Sequence, residues 1–386
     1  MNNIFRLDKA SATILAQKYG TPLLVLSLKQ IETNYLFLRE HLPAVKLHYA
    51  MKSNPQRQIL RRLAELGACF DVASDGEMQQ LTEMGIAPGR MVYANPVKTA
   101  GGLAKARELG VNTFTFDSET EIEKMAKAAP GSRVLLRIRV DNPDALVDLN
   151  QKFGAPAADA VALLLKARQQ GLDAAGLCFH VGSQSRSAAP YLRAIAVCRS
   201  LFDEAKAAGL NLRLLDIGGG FPIQTMNDPI DISGMCRSIQ AALAANFPDT
   251  EIWAEPGRSL CGTAVNLITR VIGAQVRNGQ QWYFLDEGVY GSFSGVIFDH
   301  WDYELETFKS GEPIAATFAG PSCDSIDVMY RERLTPPLAV DDLLLVPACG
   351  AYTSASATVF NGFAKAQFVI WEEVADSIGE QLRNAC

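Results

Sequence analysis

The sequence is poor in histidine, has no paired cysteines and contains no long apolar run. Its four histidines (His41, His48, His180, His300) are too dispersed for an HExxH-type zinc site. Its eight cysteines stand singly, with neither a CxxC pair nor the density of a disulfide scaffold, so free thiols in a reducing compartment are expected. Nowhere do 18 uninterrupted apolar residues occur, and the start MNNIFRLDKASATIL lacks the basic, apolar and small-residue regions of a secretory signal. A cytoplasmic location and no membrane partner are therefore expected. The net charge of −6 offers no general attraction to nucleic acid phosphates or anionic lipid. With 386 residues, 48% of them hydrophobic, the chain has the composition of a soluble protein with a large core and length enough for two domains. A small molecule is the default partner.

What is present is an alternation. Eight short runs rich in apolar and aromatic residues follow one another: KLHYAM to Met51, CFDV around Asp71, MVYA before Asn95, NTFTF before Asp117, VLLRIR to Arg139, AGLCFH to His180, LLDIG to Gly218 and EIWAE to Glu255. Between them lie segments of helical periodicity such as PQRQILRRLAELG, SDGEMQQLTEMG and DSETEIEKMAKAAPG, each opening near a polar residue or proline and closing on glycine. Eight strand-helix repeats match an α/β fold of the (β/α)8 barrel type, with an open doubly wound sheet as the weaker alternative. After Arg258 the texture turns to β-rich runs split by Gly, Pro and Asn-Gly turns, from CGTAVNLITRVIGAQVRNG to KAQFVIWEEV. The expected domains are a barrel over residues 27–258 and a mostly β domain from residues 1–26 and 259–386, in which the strand PLLVLS (Pro22 to Ser27) pairs with the later segment.

In such a barrel the chemistry collects where the strands end. Lys52 follows strand one, Asp71 ends strand two, Arg137 lies late in strand five, His180 ends strand six, Gly218 to Gly220 follow strand seven and Glu255 ends strand eight. A lysine after an apolar strand is, taken alone, as readily a solvated residue as a tethered one, but inside a pocket its amine can condense with an aldehyde cofactor. Three consecutive glycines admit left-handed dihedrals and bring backbone N–H groups close to an anion, although a plain tight turn explains them as well. Ser183 and Arg258 could add a hydroxyl and a charge to the same anion. A carboxylate such as Glu255 beside a pyridine nitrogen keeps that ring protonated and able to accept electrons; pairing with the nearby arginine is the blander role.

The motifs YAMKSNP, FDVASDGE, FHVGSQ, DIGGGFP, AEPGR, DEGVYGSF, GPSCDSID and CGAYT occur in an order that resembles the fold type III pyridoxal-phosphate (PLP) decarboxylases, and particularly the bacterial lysine/ornithine decarboxylases of the ornithine decarboxylase branch. GPSCDSIDVMYR and LVDLNQKFGAP are distinctive of that group. The resemblance implies an alanine-racemase-like barrel that carries PLP on Lys52, with Glu255 opposite the pyridine nitrogen and His180 against the ring face. It implies a phosphate held by Ser183, Gly219, Gly220, Arg258 and Tyr352, with Asp71 and Arg137 supporting the ring's surroundings. It also implies a homodimer with active sites shared across the interface, where Cys323 and Asp324 reach the partner's barrel and Asp299 comes from the home subunit.

The implied reaction is decarboxylation of a basic L-amino acid, L-ornithine to putrescine or L-lysine to cadaverine. Asp299 and Asp324 would pair the distal ammonium, and Cys323 would return a proton to the α-carbon. Phe298 stands where many relatives have Tyr, Cys349 precedes GAYT at an unusual position, and Pro55 replaces the Asp of animal ornithine decarboxylases, which leaves room for a longer substrate. Alanine racemases share the barrel and the lysine but present Arg to the pyridine nitrogen, so Glu255 argues against that chemistry. A regulatory binder that has lost the cofactor is disfavoured because lysine, acid and cysteine are all present.

Overall fold

The computed structural model describes residues 4–140, 142, 152–225 and 229–384; within the segment LVDLNQKFGAP, residues 146–151 lie outside that range, as does Cys386. The chain divides into two compact units, one spanning Glu32–Leu260 and the other Asn2–Ile31 with Cys261–Cys386.

The first unit is a closed barrel of eight strands, all paired in parallel: Val45–Ala50, Cys69–Val72, Met91–Tyr93, Thr113–Phe116, Arg133–Arg137, Asp173–Cys178, Leu214–Asp216 and Glu251–Ala254. The first strand pairs with the eighth, Val45 opposite Ile252, and this closure excludes the open doubly wound sheet. Because helices cover the barrel outside and side chains fill it inside, strands such as Cys69–Val72 and Thr113–Phe116 are buried on both faces. That is why they read in the sequence as unbroken apolar runs. Val92, Leu135, Cys178, Leu214 and Trp253, one from each of five strands, pack into one interior cluster. The intervening helices begin where the sequence offers caps: Ser74 accepts from the Glu77 N–H ahead of Asp75–Glu83, and Asp231 accepts from the Gly234 N–H ahead of Ile232–Asn246.

The sixth strand stops at Cys178, so His180 stands two residues beyond it rather than at its end. Phe179 N–H still donates to Asp216 O, but past that bond the chain leaves the ladder for the loop that carries Ser183.

The second unit is built on an eight-stranded sheet centred on Val265–Arg277, which pairs with Leu23–Leu26, Gln280–Leu285 and Leu343–Val346. The early strand expected to join the later segment does so, antiparallel to Val265–Arg277 and parallel to Gln367–Ile370. The hairpin from Val265–Arg277 into Gln280–Leu285 turns on Asn278 and Gly279, both with left-handed φ (50° and 79°), as an Asn-Gly type I′ turn requires.

KAQFVIWEEV, expected as β throughout, is strand only over Gln367–Ile370 and continues as the helix Trp371–Asn384. Val374, Ile378 and Leu382 recur at helical spacing and pack with Leu15 and Ala12 of a second helix, Lys9–Tyr19, that the sequence reading also missed. Burying each leucine or isoleucine there contributes roughly 1.5–3 kcal/mol. Glu372 accepts from Ser27 Oγ at 2.7 Å and from the Leu28 and Lys29 N–H groups at 3.0 and 2.9 Å, an acidic cap on the helix that starts at Leu28.

Candidate active site

At the carboxyl ends of the barrel strands, titratable side chains converge on one region. Lys52 sits in the single helical turn Met51–Ser53 that follows strand one, and its Nζ donates to Asp71 Oδ2. Asp71 is buried, whereas 44% of the Lys52 side chain stays accessible, so the amine can be reached from outside without unfolding anything. The other Asp71 oxygen, Oδ1, has no hydrogen-bond partner among the described residues.

Next to them in the barrel lies Glu255, directly after strand eight, the strand that pairs with strand one. Its backbone N–H donates to Gly218 O at 2.8 Å, which locks the strand-eight exit to the glycine loop after strand seven. Burial holds the Glu255 carboxyl well above the ordinary carboxylate range, and the negative charges of Asp216 and Asp71 push the same way against Lys52 and Arg137. Asp216 is itself fully buried, its Oδ1 accepting from the Gly218 N–H at 2.8 Å, and burial lifts its pKa to about 6. Arg137 ends strand five, and its Nε and Nη2 are buried without hydrogen-bond partners among the described residues. His180 is held neutral: burial first, then the Arg137 and Lys52 cations, push its pKa well down. Its Nδ1 accepts from the Gly182 N–H at 3.0 Å, which assigns the ring proton to Nε2.

The glycine loop is braced from behind. Tyr191 OH donates to Gly219 O at 2.8 Å and Ser185 N–H to Gly220 O at 2.9 Å, while Gln184 bridges Ile223 through its Nε2 (2.6 Å, to O) and Oε1 (3.0 Å, from N). A side chain at Gly219 would place its Cβ 2.7 Å from Glu255 O and 2.9 Å from His180 Nε2, so only glycine fits between those two groups. Ser183 is half-buried on the adjoining loop and Arg258 is buried at the start of the short helix Arg258–Cys261.

The structure thus brings Lys52, Asp71, Arg137, His180, Gly219, Gly220 and Glu255 together in the barrel unit. Tyr352, Asp299, Cys323 and Asp324 belong to the sheet unit. There Cys323 is exposed, Asp299 caps the end of the turn of helix Gly295–Phe298, and Asp324 Oδ2 accepts from Tyr290 OH at 2.6 Å. That hydrogen bond holds the Asp324 carboxyl below its ordinary range, so it stays ionised.

One buried acid, Asp216, and one half-buried acid, Glu77, escaped the sequence reading. Asp216 lies inside LLDIG and shows no signal of its own. Glu77 was legible only as a cap: it stands three residues after Ser74, and its Oε2 accepts from the Ala73 N–H at 2.6 Å. Burial raises its pKa to about 7, with Asp71 adding to the rise and the Ala73 bond and Lys52 opposing it.

These raised acids make a stability prediction. A carboxyl whose folded pKa exceeds its unfolded value binds a proton more tightly when folded. Its stabilisation is full below the unfolded value near 4 and is lost as pH climbs through 6 to 7. Protein freed of small ligands should therefore show a urea midpoint that falls between pH 5 and pH 8, by a few kcal/mol in unfolding free energy. Glu77→Gln should flatten that slope. A midpoint that rises over the same interval would contradict the assignment.

Comparison with known proteins agrees with this geometry. Residues 28–262 match the family described as pyridoxal-dependent decarboxylase, pyridoxal binding domain. The lysine/ornithine decarboxylase of Selenomonas ruminantium is 53% identical over 370 residues, covering 96% of this chain and 94% of that protein. A crystal structure of lysine decarboxylase from the same organism superposes with a TM-score of 0.94 at 51% identity, over 98% of this chain and 100% of that one. The lysine/ornithine decarboxylase of Vibrio vulnificus, solved with cadaverine, gives a TM-score of 0.87 at 36% identity, over 93% of this chain and 96% of that one. A barrel closed by its first and eighth strands, an amine paired with a buried acid, a glycine loop and an acid at the last strand are all present, and the chain belongs to the pyridoxal-dependent decarboxylases.

Proposed function

We propose that this enzyme decarboxylates L-ornithine and L-lysine, with PLP held at the barrel mouth by Lys52. The observation that carries the reading is the convergence of the Lys52–Asp71 pair and Glu255 on one strand-end surface. The residues there fit the cofactor: an accessible amine for its aldehyde, a buried carboxyl for its ring nitrogen, two unpartnered guanidinium nitrogens of Arg137 among the described residues and a glycine cradle that a single Cβ would fill. Ser183, Gly219, Gly220, Arg258 and Tyr352 would hold its phosphate. When bound, PLP supplies an aldehyde carbon for the amine and a pyridinium ring that takes up the electron pair released as CO2 departs.

The chain's own residues divide the remaining work. Asp71 would keep the Lys52 amine oriented through the hydrogen bond from Nζ to its Oδ2 and would pair with that amine in its ammonium form. Glu255 holds the proton on the ring nitrogen, a task suited to a carboxyl whose proton affinity is already high. Neutral His180 offers a flat apolar face with its proton on Nε2. Cys323 returns a proton to the α-carbon, and Asp324 with Asp299 receives the distal ammonium, which would otherwise lose its hydration without compensation.

The exposure of Cys323 supports its use by the barrel of a second subunit, hence a homodimer with shared sites. The cytoplasm suits the seven described cysteines, all free, and the absence of a helix among the described residues long and apolar enough to cross a membrane.

Steady-state kinetics with ornithine, lysine and arginine side by side, following CO2 release, tests the substrate. Turnover of the first two with release of putrescine and cadaverine is expected. Asp324→Asn should raise KM for both by about 100-fold, since the amide removes the charge that pairs with the distal ammonium. Preference for a neutral or acidic amino acid would overturn the proposal.

A further inference from the structure

We infer that Asn361 is a positioning residue for the proton-return step, holding the Cys323 thiol in place by hydrogen bonds to its Oδ1. The inference rests on the reading of Cys323 as proton donor. Asn361 Oδ1 accepts twice from one residue, from the Cys323 N–H at 3.2 Å and from Cys323 Sγ at 3.3 Å. The backbone N–H can only donate, so the oxygen and not the nitrogen of the amide must face it. The thiol beside the same oxygen is then also the donor, with its S–H directed at Oδ1.

The backbone of Asn361 is shaped for this. Its φ of 53° and ψ of 14° lie in the left-handed region, which asparagine tolerates better than other residues with a side chain. The turn that carries it is pinned to Tyr290: Thr358 N–H donates to Tyr290 O at 2.8 Å, Phe360 N–H donates to Thr358 Oγ1 at 3.2 Å, and the rings of Phe360 and Tyr290 stack at 4.1 Å and 21°. Tyr290 in turn donates to Asp324. A closed circuit runs from Cys323 through Asn361, Phe360 and Tyr290 to Asp324, the residue after Cys323. The group that returns the proton and the group that receives the distal ammonium are thereby set by one brace, and substrate length is measured from the thiol.

In the step itself the S–H turns from Asn361 Oδ1 to the carbon that lost CO2 while the backbone N–H of Cys323 keeps its bond to the amide; the S–H bond breaks, a C–H bond forms with the electron pair left behind, and the thiolate regains a proton from water. Decarboxylation of ornithine in D2O leaves one deuterium on that carbon, and NMR of the product after coupling to a chiral acid reads its configuration. The holoenzyme should give a single configuration. Asn361→Gly keeps the left-handed backbone but removes the acceptor; it should give both configurations, with kcat down about tenfold and KM within about twofold. Asn361→Asp keeps an acceptor and adds a negative charge that disfavours the neighbouring thiolate; it should retain the single configuration and slow iodoacetamide alkylation of Cys323 by about tenfold.

A single configuration and unchanged kcat in Asn361→Gly would overturn the role of Asn361. If Cys323→Ala also kept a single configuration, the reading of Cys323 itself would fall; mixing in Cys323→Ala alone would leave that reading intact and remove only Asn361.

Discussion

Replacing Lys52 by alanine should lower kcat for either diamine-forming reaction by at least about a thousandfold, equivalent to about 4 kcal/mol of barrel-mouth chemistry lost. Borohydride reduction of the wild-type enzyme loaded with PLP should fix the cofactor to the peptide containing Lys52; the variant should carry no label. The geometry separates this loss from misfolding. Lys52 has 44% of its side chain accessible and its partner Asp71 is buried, so deletion leaves one carboxylate short of a donor without opening a cavity. Lys52→Arg restores the charge beside Asp71 but offers no amine that condenses with an aldehyde at neutral pH. It should melt within a few degrees of wild type and be as inactive as Lys52→Ala. Turnover in either variant within tenfold of wild type would remove the basis for the proposed chemistry.

Glu255→Gln should move activity and stability in opposite directions. An amide cannot hold a proton on the ring nitrogen, so the ring loses its capacity to take up electrons and kcat should fall by about 100- to 1000-fold, some 3–4 kcal/mol. In the protein without cofactor, however, Glu255 is a buried acid whose pKa is raised, first by burial and then by Asp216 and Asp71. As pH rises from the ordinary carboxylate range toward that raised pKa, the unfolded chain gives up the proton that the folded carboxyl keeps and stability is lost; a neutral amide should recover it. At pH 8 the urea midpoint of the cofactor-free variant should exceed that of the cofactor-free wild type. A variant that loses activity and stability together would mean that Glu255 holds the fold rather than the ring.

The same acids explain why part of the site was readable in advance and part was not. Lys52, Asp71, Arg137 and Glu255 lie at strand ends, and strand ends in an eightfold repeat can be counted along the chain. Asp216 also ends a strand, Leu214–Asp216, but the run LLDIG reads on to Gly218 and the acid is passed over inside it. Glu77 cannot be found by counting strand ends; it reads as a helix cap until burial beside Asp71 raises its proton affinity. His180 was assigned to the end of its strand, but the ladder stops at Cys178 and leaves it on the loop, free to point its Nδ1 at the Gly182 N–H.

In the sheet unit the β runs were visible, yet both terminal helices were missed. The run QFVIW suggests a strand, and the helical recurrence of Val374, Ile378 and Leu382 only becomes decisive once Lys9–Tyr19 supplies a surface to bury them against.

Residue order alone was enough for the eightfold strand-helix alternation, the β-rich remainder and the chemical types at the strand ends, because periodicity and capping act over a few neighbouring residues. Closure of Val45–Ala50 onto Glu251–Ala254, the elevation of Glu255 by burial and by Asp216, and the hold of Asn361 on Cys323 were decided only in three dimensions. Each depends on groups tens to hundreds of positions apart meeting in space, and hydrogen bonding, burial and Coulomb interaction respond to distance through space rather than to separation along the chain.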